Sequence, residues 1–481
     1  MDDNMDQTET ITKRKKYETL LKDVLVFALG SIGSKIIVFL LVPFYTYYLT
    51  PEEYGIADLV FTVSQLAIPV FSLVIFDAVM RFALSREEKP QDVFLVGLVV
   101  WLIGSAAAFL ATPLFGLYAA VSKWKWYVTA YVSVSALVSI ELNYLKAINK
   151  NYIYSLVCVL QTLSLALLNI LLVAHKQMGV RGYLISYIGS GVIAAILCIV
   201  CGKLITDIKK AHFQKSLARK MVAYSSPLIL NNLSWWVIQS SDKFMLEVMV
   251  NDIALGIYAV ASRIPSLITV FVTIFQQAWG VSSIKEMERS NDTGFYTSVF
   301  SVYSFMAFFA GMGLCLIIKP FMDVYVRSDA YGEVWRYVPL LLASAVFSAI
   351  AAYYGSMYSA LKKPVNNMIS TIIAAVVNIV VNFLAILALG LWGAMIGTLV
   401  AYIVLAYVRL VDVGRYVNVG VNRRKLITNS VLLVSQTIVV SLAQAVIGVV
   451  FSFVVLLAFV VVNRQELLRA IAIIKGGRKR V

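Results

Sequence analysis

Long apolar runs follow one another from residue 24 to residue 463, and nothing else in the chain constrains its fold as tightly. A helix crosses the hydrocarbon core of a bilayer with about 20 mostly apolar residues. Hydrophobic residues make up 60% of the 481 and charged residues only 14%; a soluble domain carries roughly a quarter charged residues. The mean hydropathy of +0.83 agrees. Membrane β-barrels alternate apolar and polar positions over segments of about 10 residues, and that alternation is absent. The expectation is an all-α polytopic membrane protein.

Charge, proline and glycine divide the apolar sequence into about 14 transmembrane helices. Their centres fall near residues 36, 66, 103, 136, 163, 191, 235, 266, 307, 348, 377, 401, 436 and 454. The last two runs are nearly continuous from Leu426 to Val462, parted only by "AQAVIG". With the N-terminus inside, Lys and Arg divide roughly 31 inside to 7 outside, leaving Lys35, Lys243 and Arg263 within spans. Such an excess marks cytoplasmic segments, so both termini are expected in the cytoplasm. The net charge of +15 then reflects topology and attraction to anionic lipid heads. No basic domain stands apart from the spans, so nucleic acid is not an expected partner.

Residues 1–23 read as a cytoplasmic tail, because "MDDNMDQTETITKRKKYETLLKD" lacks the small-residue cleavage site of a signal peptide. Cys158, Cys198, Cys201 and Cys315 lie in or beside apolar runs, and His175 and His212 lie far from them in loops. Packing explains the cysteines better than metal or redox chemistry, so no metal site is expected. No phosphate-binding G-x-x-x-x-G-K-[ST] occurs. The longest outer loop, roughly 319–336, is too short for an extracytoplasmic catalytic domain. These features point to transport rather than to an enzyme.

The basic segment 202–222 parts the spans after the sixth. The expected organisation is an N-lobe at 24–201 and that linker, then a C-lobe at 223–425. An extra helix pair at 426–463 and a basic cytoplasmic tail at 464–481 complete it. "FYTYYLTPEEYGIADLVFTV" and "KFMLEVMVNDIALGIYAVAS" each hold a short acidic turn followed by Gly-Ile, at Gly55-Ile56 and Gly256-Ile257, 201 residues apart. Six spans per half would make this a parallel repeat giving two pseudo-symmetric lobes. Short outer turns commonly hold acids and glycine in any case.

An ionisable group within a span is costly, about 2.5–3.5 kcal/mol at the centre on insertion scales, and usually faces a protein interior or aqueous cavity. Lys35 lies about eleven residues into the first span and Arg263 about ten into the eighth, near the midplane at 1.5 Å per residue. Both suit a cavity that holds an anion. Lys243 is close enough to the outer turn to snorkel, or to pair locally with Glu247 one turn on. Asp242 can pair with Lys243 or reach Arg263 on the next span. Asp242 and Glu247 would balance the bases or exchange a coupling cation. Asp58, Asp77, Arg81 and Glu141 lie near span ends and read as interface residues.

"FLLVPFYTYYLTPEEYGIADLV" and "SDKFMLEVMVNDIALGIYAVASRI" resemble the first-hairpin and seventh–eighth-span signatures of Wzx-type polysaccharide flippases. These belong to the multidrug/oligosaccharidyl-lipid/polysaccharide exporter superfamily. The resemblance implies two six-helix lobes in a V shape plus a C-terminal helix pair, in the bacterial cytoplasmic (inner) membrane. It implies translocation of an undecaprenyl-diphosphate-linked oligosaccharide to the outer leaflet by alternating access. Lys35, Arg263 and Lys243 would then line a cationic cavity, while Asp242 and Glu247 balance charge or couple to H+ or Na+. No cofactor is implied; the partners would be the polyprenyl-linked glycan, the bilayer and polysaccharide polymerases. Three alternatives stand beside this reading. A cation-coupled multidrug exporter would favour an acidic, aromatic cavity. A lipid II flippase would carry a more basic one. A membrane glycosyltransferase would need paired acids at an outer loop.

Overall fold

The structure, a computed structural model, describes residues 37–85, 88–289, 293–326, 328–361, 363–417 and 419–468, and every regular element among them is helical. In chain order the longer helices are α1 (Ile37–Tyr48), α2 (Pro51–Ser72), α3 (Ile75–Leu84), α4 (Pro90–Leu110), α5 (Lys125–Ala147) and α6 (Asn151–Asn169). They continue as α7 (Gly179–Gly202), α8 (Leu204–Lys210), α9 (Lys215–Met249), α10 (Asp252–Ala261), α11 (Ser266–Arg289) and α12 (Thr293–Tyr325). The last five are α13 (Val338–Ala360), α14 (Pro364–Leu389), α15 (Leu391–Val413), α16 (Arg423–Leu442) and α17 (Ala445–Val462).

Among the described residues, 11 helices are long and apolar enough to cross a membrane, or 12 with α10 and α11 taken as one bent span. The chain is therefore a multi-pass membrane protein. Each expected span centre from residue 66 onward falls on a helix; the centre near 36 lies just outside the described residues. Two helices account for the difference from fourteen. The 35-residue α9 is diluted by Asn231, Asn232, Gln239, Asp242 and Lys243. The described part of α1 is short. The final pair turns at Ala443–Gln444.

The described residues form two compact units, those within Met1–Leu41 and Ile56–Leu233, and those within Val42–Gly55 and Ser234–Val481. In the first, α3, α4 and α7 pack on α5, and α6 packs on α7. Ile75, Val79, Phe94, Ile140, Tyr144 and Cys198 make a continuous apolar core there. Pro69 precedes a break between α2 and α3, where Leu73 and Val74 take left-handed backbone at φ 51° and 52°. Non-glycine residues pay for this conformation in strain. The Ser72 hydroxyl accepts the Val74 N–H freed there, at 3.2 Å, and Gly104 admits the Phe71 carbonyl, which would lie 1.9 Å from a Cβ.

In the second unit, α13 packs on α11, α12 and α15, α14 lies along α15, and the α16–α17 pair packs on α12. An aromatic array joins α11, α12 and α13. Phe275 and Tyr303 ring centroids are 4.0 Å apart, Trp279 and Tyr353 5.0 Å, and Phe300 and Tyr353 5.1 Å. In lipid, where no hydrophobic force separates helix from helix, such packing supplies much of the association.

The two motifs 201 residues apart in the sequence meet here. Thr50 and Glu53 form a reciprocal cap at the start of α2, with N–H bonds of 3.2 and 3.1 Å. At the equivalent place, Asn251 Oδ1 accepts the Ala254 N–H at 2.8 Å to start α10. The helices then cross at their glycines. A Cβ on Gly55 would stand 2.7 Å from Gly256 N and 2.8 Å from the Asp252 carbonyl oxygen; one on Gly256 would stand 1.8 Å from the Pro51 carbonyl oxygen. Position 252 is the repeat equivalent of position 51, so the contact is isologous, each motif presenting the same surface to the other. The two turn motifs of similar chemistry therefore pack on each other. We expect Gly256→Ala to lower the unfolding midpoint in detergent by at least the about 1–3 kcal/mol typical of overpacking. Gly313→Ala, with nothing within 4 Å of its Cβ, should be neutral or slightly stabilising. Equal midpoints for the two variants would remove the close approach as a requirement.

Candidate functional site

The candidate site grows from the break between α10 and α11. Pro265 cannot donate a backbone hydrogen bond, and Ser262–Pro265 leave the helix, so the two segments meet at a bend of 45°. Arg263 sits in this break, about 15 Å along the span from the start of α10 at 1.5 Å per residue. Its Nε donates to the Tyr54 hydroxyl at 3.3 Å. Tyr54 is buried, stacks on Tyr45 with centroids 5.7 Å apart, and lies one residue before the glycine crossing. Tyr325 lies within electrostatic reach of both Tyr54 and Arg263. The repeat therefore places a guanidinium, a fixed phenol and a helix discontinuity together within a span. Position 62, the repeat equivalent of Arg263, is a threonine in unbroken helix, so only the second copy carries this device.

A second polar cluster surrounds Asp242, whose side chain is buried. Its carboxylate accepts the Tyr258 hydroxyl, the Thr398 hydroxyl at 3.1 Å and the Lys243 backbone N–H at 2.9 Å. Three neutral donors from α9, α10 and α15 hold the carboxylate, and the Lys243 charge acts on it electrostatically. Beside it the Ser241 hydroxyl donates to Asn378 Oδ1 at 2.7 Å, and Asn382 Nδ2 donates to the same oxygen at 3.1 Å. Gly397 makes room for Asn382, since a Cβ there would lie 1.9 Å from its Oδ1. Asn378 Nδ2 and Asn382 Oδ1 have no hydrogen-bond partner among the described residues. Asp242 is thus held by donors, and a separate amide pair lies beside its neighbour Ser241. Among the described residues no three His, Cys, Asp or Glu side chains gather in a metal-binding group.

The structure places the other sequence candidates as follows. Lys243 and Glu247 are both half-buried on α9, one turn apart. Lys35 lies outside the described residues. Arg409, one of the bases counted on the inside of the expected topology, is fully buried in α15. Its Nε donates to Ser370 at 3.1 Å, Nη1 to the Ala351 carbonyl at 2.9 Å, and Nη2 to Asn367 at 2.7 Å and Thr371 at 3.0 Å. The guanidinium fork so ties α13, α14 and α15 together, beneath the Trp235 ring 5.7 Å away. Asn367, Thr371, Asn378 and Asn382 lie on one face of α14 at spacings of four and seven. That stripe was the available signal for a polar seam, and Arg409, eleven residues past Thr398, completes it.

This architecture defines the class: a multi-pass helical membrane protein with the fold of the MOP superfamily. An inward-closed lipid II flippase MurJ matches at TM-score 0.66 and 15% identity, covering 92% of this chain and 100% of that one. An inward-facing multidrug resistance MATE family transporter of the MOP superfamily matches at TM-score 0.68 and 16% identity, covering 79% and 94%. An outward-facing form of such a transporter matches at 0.60 and 15%, covering 82% and 95%. Among curated proteins none matches significantly. Residues 20–279, more than half of the chain, match the family model described as polysaccharide biosynthesis protein, and the chain belongs to that family.

Lysine offers three donors from one nitrogen where arginine offers a planar fork of five. Arg409→Lys should therefore strand at least one buried acceptor and cost about 1–3 kcal/mol, seen as a lower unfolding midpoint in detergent. An unchanged midpoint would remove the guanidinium as the clamp of these three helices.

Proposed function

We propose that the chain flips an undecaprenyl-diphosphate-linked oligosaccharide from the cytoplasmic to the outer leaflet of the bacterial inner membrane, by alternating access, for surface polysaccharide biosynthesis. Membership of the polysaccharide biosynthesis family supports the substrate class. The observation that carries the mechanism is Arg263, a guanidinium at a helix break within a span, oriented by Tyr54. A guanidinium matches phosphate oxygens with charge-assisted hydrogen bonds, and the prenyl chain can stay in lipid while the headgroup crosses. Lys35 and Lys243 add positive charge in this reading, and Glu247 balances it. Asp242 serves as the coupling site, where H+ or Na+ neutralises a carboxylate whose hydrogen-bond donors are all uncharged. Both termini lie in the cytoplasm, and polysaccharide polymerases take up the product.

The test is export in a strain lacking its own flippase and supplied with the cognate synthesis genes, with membrane abundance of each variant measured alongside. Losing a charge-assisted bond of about 1.5–3 kcal/mol should lower export by Arg263→Ala about tenfold or more, with lipid-linked oligosaccharide trapped inside. Arg263→Lys should fall between. Asp242→Asn should block export while leaving the lipid-linked substrate bound. Normal export by Arg263→Ala at normal abundance would discard the cationic-site mechanism. Expulsion of organic cations in place of glycan would favour the drug-exporter reading suggested by the multidrug transporter neighbours.

A further inference from the structure

The first unit holds a buried carboxyl that the proposed function does not use. Glu141 lies on the inner face of α5, 1% exposed, with Val138, Tyr144 and Leu145 one turn to either side in the apolar core. Its Oε2 is buried without a hydrogen-bond partner, and among the described residues no side chain donates to it or pairs with it. The charged and titratable groups of the packed elements are otherwise engaged. From α3, Asp77 interacts with Lys146 of α5, and the Arg81 guanidinium lies 4.9 Å from the centre of the Tyr224 ring of α9. From α6, Tyr154 offers its ring to Lys146 at 4.6 Å, and Cys158 interacts with the same ammonium. From α4, Asp92 accepts the His212 N–H at 2.8 Å and the Gln214 amide at 3.0 Å. On α5 itself, Tyr144 donates to Asp207 of α8 at 3.1 Å. Among the described residues, the uncharged thiol of Cys198, on α7, lies within electrostatic reach of Glu141.

We propose that Glu141 is a proton-binding site of the first unit. An ionised carboxylate in such surroundings, with neither cation nor donor, would carry an uncompensated desolvation cost of several kcal/mol. A metal ion needs several oxygen ligands around it, and the neighbours here are aliphatic carbons, a ring and a thiol. A proton alone neutralises one carboxyl without further ligands. This separates Glu141 from Asp242, which is ringed by hydroxyl and amide groups. Six residues separate Glu141 from the end of α5, about 9 Å at 1.5 Å per residue, close enough for the proton to come from water at that end. The inference stands on the first unit alone and does not depend on what the protein transports.

The experiment is infrared difference spectroscopy of the full chain in lipid bilayers at neutral pH, wild type against Glu141→Gln, Glu141→Leu and Asp242→Asn. A protonated carboxylic acid has a carbonyl band apart from those of carboxylate and amide. We expect one such band to vanish in both Glu141 variants and persist in Asp242→Asn. It should also move to lower frequency in heavy water as the acid proton exchanges. Leucine suits the apolar core, so the comparison survives if the glutamine variant folds poorly. A wild-type spectrum whose acid band is unchanged by either Glu141 substitution, or is immovable in heavy water, overturns the proposal.

Discussion

In the hydrocarbon core no water is available, so a polar atom placed there is costly unless it finds a partner within the protein. That constraint orders the second unit. Arg409 is tolerable because four acceptors from two neighbouring helices converge on it. Asp242 is tolerable because two hydroxyls and a backbone N–H reach it. Even Gln436 of α16 spends its amide on the Met312 carbonyl of α12, at 3.0 Å. These bonds run between helices and are directional, so they fix the rotation of each helix about its axis, which dispersion among similar apolar side chains specifies poorly.

The glycine crossing answers the same constraint by another route. Backbone approaches backbone so closely at Gly55 and Gly256 that no side chain fits. Because the two residues are equivalent in the repeat, one solution serves both helices. The loop after α12 adds to this region: the buried Tyr331 hydroxyl donates to the Leu49 carbonyl at 3.2 Å, in the turn that precedes α2. The α1–α2 turn, Val42–Gly55, belongs to the second unit.

The sequence made the helices legible because the bilayer fixes their length and composition, and length and hydropathy are local properties. The Gly-Ile repeat was visible too, but not its consequence, because a pattern 201 residues apart does not say that its two copies touch. The burial of Arg409 was hidden for a related reason. Near the end of a span, one arginine looks the same whether it snorkels to the interface or turns inward. The deciding partners, Asn367, Ser370 and Thr371, lie some forty residues earlier on another helix. Asp242 was found as a charge within a span, yet its nearest basic neighbours in sequence suggested an ion pair. Its hydrogen-bond donors from other helices are the neutral hydroxyls of Tyr258 and Thr398, which carry no charge signal.

Glu141 and Asp242 show how one residue class acquires two chemistries from its surroundings. Both are buried carboxyls on long helices. Around Asp242 the neighbours are hydrogen-bond donors, so the carboxylate can persist as an anion. Around Glu141 the neighbours are aliphatic carbons, an aromatic ring and a thiol, so the group is tolerable only when its charge is removed. The basic residues nearby do not change this, because Lys146 is engaged by Asp77, Tyr154 and Cys158, and Arg81 lies over Tyr224. What distinguishes the two carboxyls is therefore the polarity of the helix faces opposite them. On the side of Asp242 those faces carry Thr398, Asn378 and Asn382 at helical spacing; on the side of Glu141 they carry alanine, valine and Cys198.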